Sequence, residues 1–95
     1  MSSTITPRFD LGQLAATPAA LAAISAASQA PLEFVTRHAR LEQGELTDGD
    51  HQENLFSVDK HLRIFSAFNT DAGAKVWIIT EADRSTTTIL LPEEY

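Results

Sequence analysis

Apolar positions in the first two thirds of the chain recur every three or four residues, whereas beyond Leu62 they crowd into short runs. Helices are therefore expected first and strands last. Nine of the fourteen alanines lie between Ala15 and Ala30, and alanine has the highest helix propensity of any residue. A helix is predicted there, its start marked by Thr17-Pro18, a capping hydroxyl followed by a ring that fits the first helical position. A second helix is predicted from Pro31, with Leu32, Phe34, Val35, His38 and Leu41 near one face, a Glu33–Arg37 pair at i, i+4, and Gly44 as its end. A short third helix runs from Thr47 or Asp50 to Lys60, with Asp50 and Glu53 in a capping-like spacing ahead of Leu55, Phe56 and Val58.

From Leu62 the period shortens. Leu62–Phe68 and Val76–Thr80 are rich in β-branched and aromatic residues and flank Asn69-Thr70-Asp71-Ala72-Gly73-Ala74, which is a hairpin signature. A second turn, Glu81 to Ser85, leads into Thr86–Leu91, which Pro92 stops. The expected architecture is α+β, with two to three N-terminal helices packed on a C-terminal three-stranded antiparallel β-meander. A further strand at Phe9–Leu11 has little pattern behind it. Residues 1–8 read as a flexible tail and residues 9–95 as one domain. If Val76 and Ile78 face the helices, Trp77 and Ile79 face the other side of the sheet; the converse, with Trp77 in the core, is the favoured assignment.

Ninety-five residues, 43% of them apolar, support one small core and no second one. Seven Lys+Arg against thirteen Asp+Glu give a net charge of −6, the wrong sign for a protein that grips phosphate backbones. The chain has no cysteine, which excludes disulfides, thiolate zinc sites and cysteine nucleophiles and suits a reducing compartment, so a cytoplasmic location is expected. Nothing at the N-terminus resembles a signal peptide, and Leu14–Ala30 holds too few large apolar side chains for a membrane span. The charge is also localised. Leu41–Asp59 carries Glu42, Glu45, Asp48, Asp50, Glu53 and Asp59 with no Lys or Arg, and the remainder of the chain is formally balanced.

Asp48, Asp50, His51 and Glu53 offer hard ligands within six positions, but their spacing fails the calcium-loop pattern and no HExxH pair is present. An acidic helix start explains them better, because carboxylates are favoured by the dipole there; neither a metal nor a cofactor is expected. No GxSxG elbow or triad supports a serine nucleophile, and no residue is assigned as catalytic. His38 and His61 read as structural histidines. Arg63, Lys75, Arg84, His61 and Tyr95 resemble the residue set of small toxin-like ribonucleases, against which the charge stands. The candidate partner-binding residues are Glu42, Glu45, Asp48, Asp50 and Glu53; Trp77, as part of an exposed Trp-Ile face; the turn residues Glu81, Asp83 and Arg84; and the acidic end Glu93, Glu94 and Tyr95.

The string Lys75-Val76-Trp77-Ile78-Ile79-Thr80-Glu81-Ala82-Asp83-Arg84-Ser85-Thr86-Thr87-Thr88-Ile89-Leu90-Leu91-Pro92-Glu93-Glu94-Tyr95 resembles the ending of a group of small bacterial proteins carried on plasmids and integrative conjugative elements. Phe9-Asp10-Leu11-Gly12-Gln13-Leu14 with Ala16-Thr17-Pro18, and Pro31-Leu32-Glu33-Phe34 with Arg37-His38, are similar to the same group. Many of its members place a tryptophan before the glycine of the middle loop, where this chain has Gln43-Gly44. The resemblance implies a context, an accessory protein of mobile DNA, and no catalytic residue. The resulting expectation is a non-enzymatic acidic protein that binds another protein, one version being carboxylates that occupy the basic groove of a host defence complex, as in anti-restriction or anti-CRISPR inhibition. The competing classes are a small ribonuclease or hydrolase using His51, His61, Glu81 or Arg84, and a homodimeric regulatory or structural module pairing through the sheet. Direct nucleic-acid and membrane binding are not expected.

Overall fold

A computed structural model describes residues 7–95, so most of the expected N-terminal tail lies outside the described residues. The elements are β1 (Gln13–Ala16), α1 (Pro18–Ala26), α2 (Pro31–Ala39), α3 (Asp48–Lys60), β2 (Ile64–Asn69), β3 (Lys75–Thr80), β4 (Thr86–Leu90) and a 3₁₀ turn at Pro92–Glu94. The strands form one sheet in the order β1-β4-β3-β2, antiparallel from β2 through β4, with β1 parallel to β4. This corrects the expected fold: the sheet is a mixed four-stranded one rather than a three-stranded meander, and a strand precedes the helices. That strand lies at Gln13–Ala16 and not at Phe9–Leu11.

β1 owes little to propensity, since Gln13-Leu14-Ala15-Ala16 contains no β-branched residue. Its neighbours hold it. Gly12 takes φ +65°, and a Cβ there would overlap the carbonyl oxygens of Arg84 and Ser85, so only glycine lets the chain come this close to β4. At the other end Thr17 is kept extended before Pro18. Between these points the Gln13 N–H donates to Ser85 O (2.9 Å) and the Thr17 N–H to Ile89 O (3.0 Å).

The helices begin where hydroxyls can cap them. Thr17 Oγ1 accepts the Ala20 N–H and Thr47 Oγ1 accepts the Asp50 N–H, each at 3.1 Å. Thr47, not an Asp50–Glu53 pair, therefore starts α3. None of the described helices ends on glycine: Ser28, Leu41 and His61 occupy the left-handed positions after α1, α2 and α3. α2 stops at Ala39 instead of Gly44, and the Glu42 N–H closes the turn onto Arg37 O. Gly44 serves a different need, as a Cβ there would strike the Phe68 ring and the Ala67 carbonyl. The expected Glu33–Arg37 pair does not form. Glu33 accepts from Gln29, and Arg37 turns to Glu42 at 3.0 Å.

One face of the sheet carries the core, with Ala20 and Ile24 of α1 and Phe34 and Val35 of α2 packing on Phe68, Val76, Ile78 and Ile89. A smaller cluster of Phe9, Leu41 and Ile64 closes the β2 side with Leu55 and Val58 of α3. Val76 and Ile78 thus face the helices, and Trp77 and Ile79 take the opposite face, which corrects the placement of Trp77 in the core. The close approach that Ala20 permits suits valine and isoleucine, while the indole lies where the C-terminal turn crosses the sheet.

The two sheet edges are finished differently. On β2, the Asn54 side chain of α3 donates to Phe65 O (2.6 Å) and accepts the Phe65 N–H (3.1 Å), and the Glu45 N–H donates to Ala67 O (2.8 Å). On β1, parallel alternation turns the backbone groups of Leu14 and Ala16 away from β4. Among the described residues no helix, loop or side chain reaches them. No helix among the described residues is long and apolar enough to cross a membrane.

Candidate protein-binding surface

The most buried titratable group is His38, which α2 inserts between sheet and helix with no exposed surface. Its Nδ1 lies 2.7 Å from Ser66 Oγ and its Nε2 2.8 Å from Thr80 Oγ1; Thr80 Oγ1 is 2.6 Å from Thr87 Oγ1, which donates to Leu11 O at 2.7 Å. That last carbonyl can only accept, so every proton in the chain points the same way: Ser66 to His38, His38 Nε2–H to Thr80, Thr80 to Thr87, Thr87 to Leu11. The imidazole is thereby held neutral. Burial pushes its pKa from 6.5 down to about 3. A serine beside a histidine invites a nucleophile assignment, but Ser66, His38 and Thr80 are all fully enclosed and the surface groove is lined by other residues. The chain is a polar spine of the core, with the Phe9 ring set edge-on to the imidazole at 5.3 Å.

Several expected binding residues prove to hold the fold. Arg84, itself at φ +61°, donates through Nη1 to Leu62 O (2.8 Å) and Glu81 O (3.1 Å) and through Nη2 to Ser57 O (3.0 Å). It fastens the β3–β4 turn to the C-terminal carbonyls of α3, where a cation suits the dipole. Asp83 accepts the Ser85 N–H within the same turn, and these hydrogen bonds from Ser85 hold its carboxyl below the ordinary value. Glu94 accepts from Thr17 Oγ1 (2.6 Å) and the Leu91 N–H (2.8 Å), which tie the C-terminal turn to the start of α1 and lower its pKa. The signal for these roles was the turn chemistry around them.

Trp77, Glu81 and Tyr95 do come together, on the sheet face away from α1 and α2. The half-buried indole has Phe65 edge-on at 4.9 Å and Tyr95 at 5.7 Å, while Arg63 reaches Tyr95 Oη (3.0 Å) and Glu81 (3.3 Å). Glu93 is exposed beside them in the chain. The residues drawn as a ribonuclease set do not assemble as one: Arg84 is spent on carbonyls, and Lys75 opposes Asn69 at the far end of the sheet.

The acidic segment divides as well. Glu42 is paired with Arg37 and Arg40, and Asp48 accepts from Gln43 at 2.9 Å. His51 turns inward and donates to Leu41 O, so Asp48, Asp50, His51 and Glu53 do not converge, and among the described residues no group of three or more metal-ligating side chains forms. Glu53 and Asp59 remain exposed on α3 away from the buried Asn54 and Ser57, while Asp50 is exposed in the first turn on the same stripe as that pair, and Glu45 is exposed just ahead of the helix. In their midst Phe56 is 53% exposed. Glu53 and Asp59 stand one turn to either side of it, and Lys60 lies over its ring at 5.9 Å. The exposure of Phe56 follows from α3 turning Asn54 and Ser57, rather than its aromatic side chain, to the interior. No family model matches the chain, and it has no match among the curated proteins or the solved structures compared with it.

Proposed function

We propose that the chain is a non-enzymatic, cytoplasmic accessory protein that acts by binding another protein, with the outer face of α3 as the contact. The observation that carries this reading is the half-exposed Phe56 between Glu53 and Asp59, an aromatic anchor inside an acidic rim. A surface of this kind fits a basic partner with an apolar recess. Its carboxylates steer the encounter and its ring supplies the contact that slows release. Together with the resemblance to mobile-element proteins, it favours the basic nucleic-acid groove of a host defence complex as the target.

The test is capture of purified restriction and CRISPR complexes at low salt by wild type, Phe56→Ala and the double reversal Glu53→Lys/Asp59→Lys. Wild type is expected to bind in a salt-sensitive way, Phe56→Ala to dissociate faster, and the double reversal to lose binding. Absence of capture removes the defence-complex version, and capture unchanged by all three substitutions removes α3 as the contact. A toxin-like ribonuclease is the second reading, favoured by the exposed Arg63–Tyr95–Glu81 cluster. Growth arrest on expression that is lost in Arg63→Ala would decide for it.

A further inference from the structure

We propose that a second copy of this chain pairs with the outer edge of β1, antiparallel about a two-fold axis, so that two four-stranded sheets join into one. The backbone groups of Leu14 and Ala16 face outward there and, among the described residues, are met by nothing. The edge is only four residues long, but it carries no charge, no proline within it and, among the described residues, no covering helix. The opposite edge has such a cover, since Asn54 supplies Phe65 with both hydrogen bonds that a neighbouring strand would.

Charge selects the occupant. From Leu11 to Leu32 the chain carries no ionisable side chain at all, although the whole bears −6. Two copies approaching through most other faces bring like charges together, whereas β1 and α1 bring none of their own and the carboxylate nearest the strand, Glu94, is held by Thr17 Oγ1, so a basic partner finds little here to neutralise. Beside the edge lies an open apolar groove of about 400 Å³ between β1 and α2, lined by Leu14, Ala15 and Ala16 of the strand, Pro31, Leu32 and Val35 of the helix, and Ile89. Leu14 is 50% and Leu32 56% exposed. A two-fold axis perpendicular to the sheet puts both helical layers on the same side, so Leu14 and Leu32 of each copy meet across it. The short ladder fixes register, and these leucines supply the apolar contact. Such an interface is isologous and closes on itself as a dimer.

Sedimentation of the full chain from about 1 µM to about 1 mM measures this directly. The mass is expected to rise from 10.4 kDa to twice that value, with a midpoint indifferent to salt. Salt indifference also separates this contact from the salt-sensitive binding proposed for α3. Ala15→Lys, which sets like charges beside the axis, and Leu14→Pro, which removes an outward N–H and leaves the ladder to β4 intact, should each raise the dissociation constant about tenfold or more. Circular dichroism should show both folded as wild type. A mass of one chain throughout overturns the proposal, as does dimerisation undiminished in both variants. If removal of residues 1–6 converts a monomer into a dimer, those residues occupy the edge, and the proposal also falls.

Discussion

β2 and β1 close the same sheet at opposite ends, and the chain treats them in opposite ways. β2 is flanked by α3, whose Asn54 imitates a strand with one donor and one acceptor, and by a loop that adds the Glu45 N–H. β1 is short and neutral, and among the described residues nothing covers its outer side. A covered edge beside one left uncovered by the described residues shows that capping was within reach of so small a domain, which supports the proposed pairing at the second edge. The acidic charge obeys the same division. Its excess lies on and just before the helix that covers β2, whereas β1 and α1 carry no ionisable side chain of their own, so the two ends of the sheet suit different partners.

Acid should disturb this arrangement most. The hydroxyl–imidazole chain runs from Ser66 on β2 to Leu11 at the root of β1, and it requires a neutral His38. In the unfolded chain His38 takes up a proton near pH 6.5, but in the fold only near 3. Between these values the unfolded state binds the extra proton, so stability falls as pH falls, by up to about 1.4 kcal/mol per unit and about 5 kcal/mol in all. Denaturant titrations between pH 7 and 3 should show this slope, and His38→Leu should lose one proton's worth of it. A slope unchanged in His38→Leu places the acid sensitivity elsewhere.

Gly12→Ala attacks β1 alone. The methyl group meets two backbone carbonyls at a left-handed φ, so a loss of about 3 kcal/mol is expected, with β1 released from β4. A thermal midpoint close to wild type would mean that β1 contributes little to the fold. Asn54→Ala attacks the other edge. It leaves the Phe65 N–H and carbonyl without their partners, at a cost of about 2–3 kcal/mol, and it should create self-association through β2 that wild type lacks. Loss of stability without new association would show that α3 blocks this edge by bulk rather than by hydrogen bonding.

What was legible in the sequence followed the strong local signals. Thr17-Pro18 and Thr47 start helices as expected, and the three C-terminal strands lie close to their β-branched runs. β1 was hidden because an alanine-rich tetrapeptide has no strand signal of its own; Gly12, Pro18 and the partner strand impose its shape. α3 ends at Lys60 as expected, but the end of α2 was misplaced because Leu41 holds the left-handed position where glycine usually gives the stop. The expected site was legible as an acidic segment but not as a surface. Pairing removes Glu42 from it, and Phe56 joins it only because Asn54 and Ser57 turn inward, which the apolar pattern could not reveal.

Amide hydrogen exchange at both edges tests the central contrast most directly, with the full chain followed residue by residue at low and high protein concentration. The amide of Phe65 should be protected at every concentration, whereas those of Leu14 and Ala16 should exchange freely in dilute solution and become protected as copies pair. Protection of Leu14 and Ala16 that does not change with concentration, or free exchange at Phe65, would contradict the account.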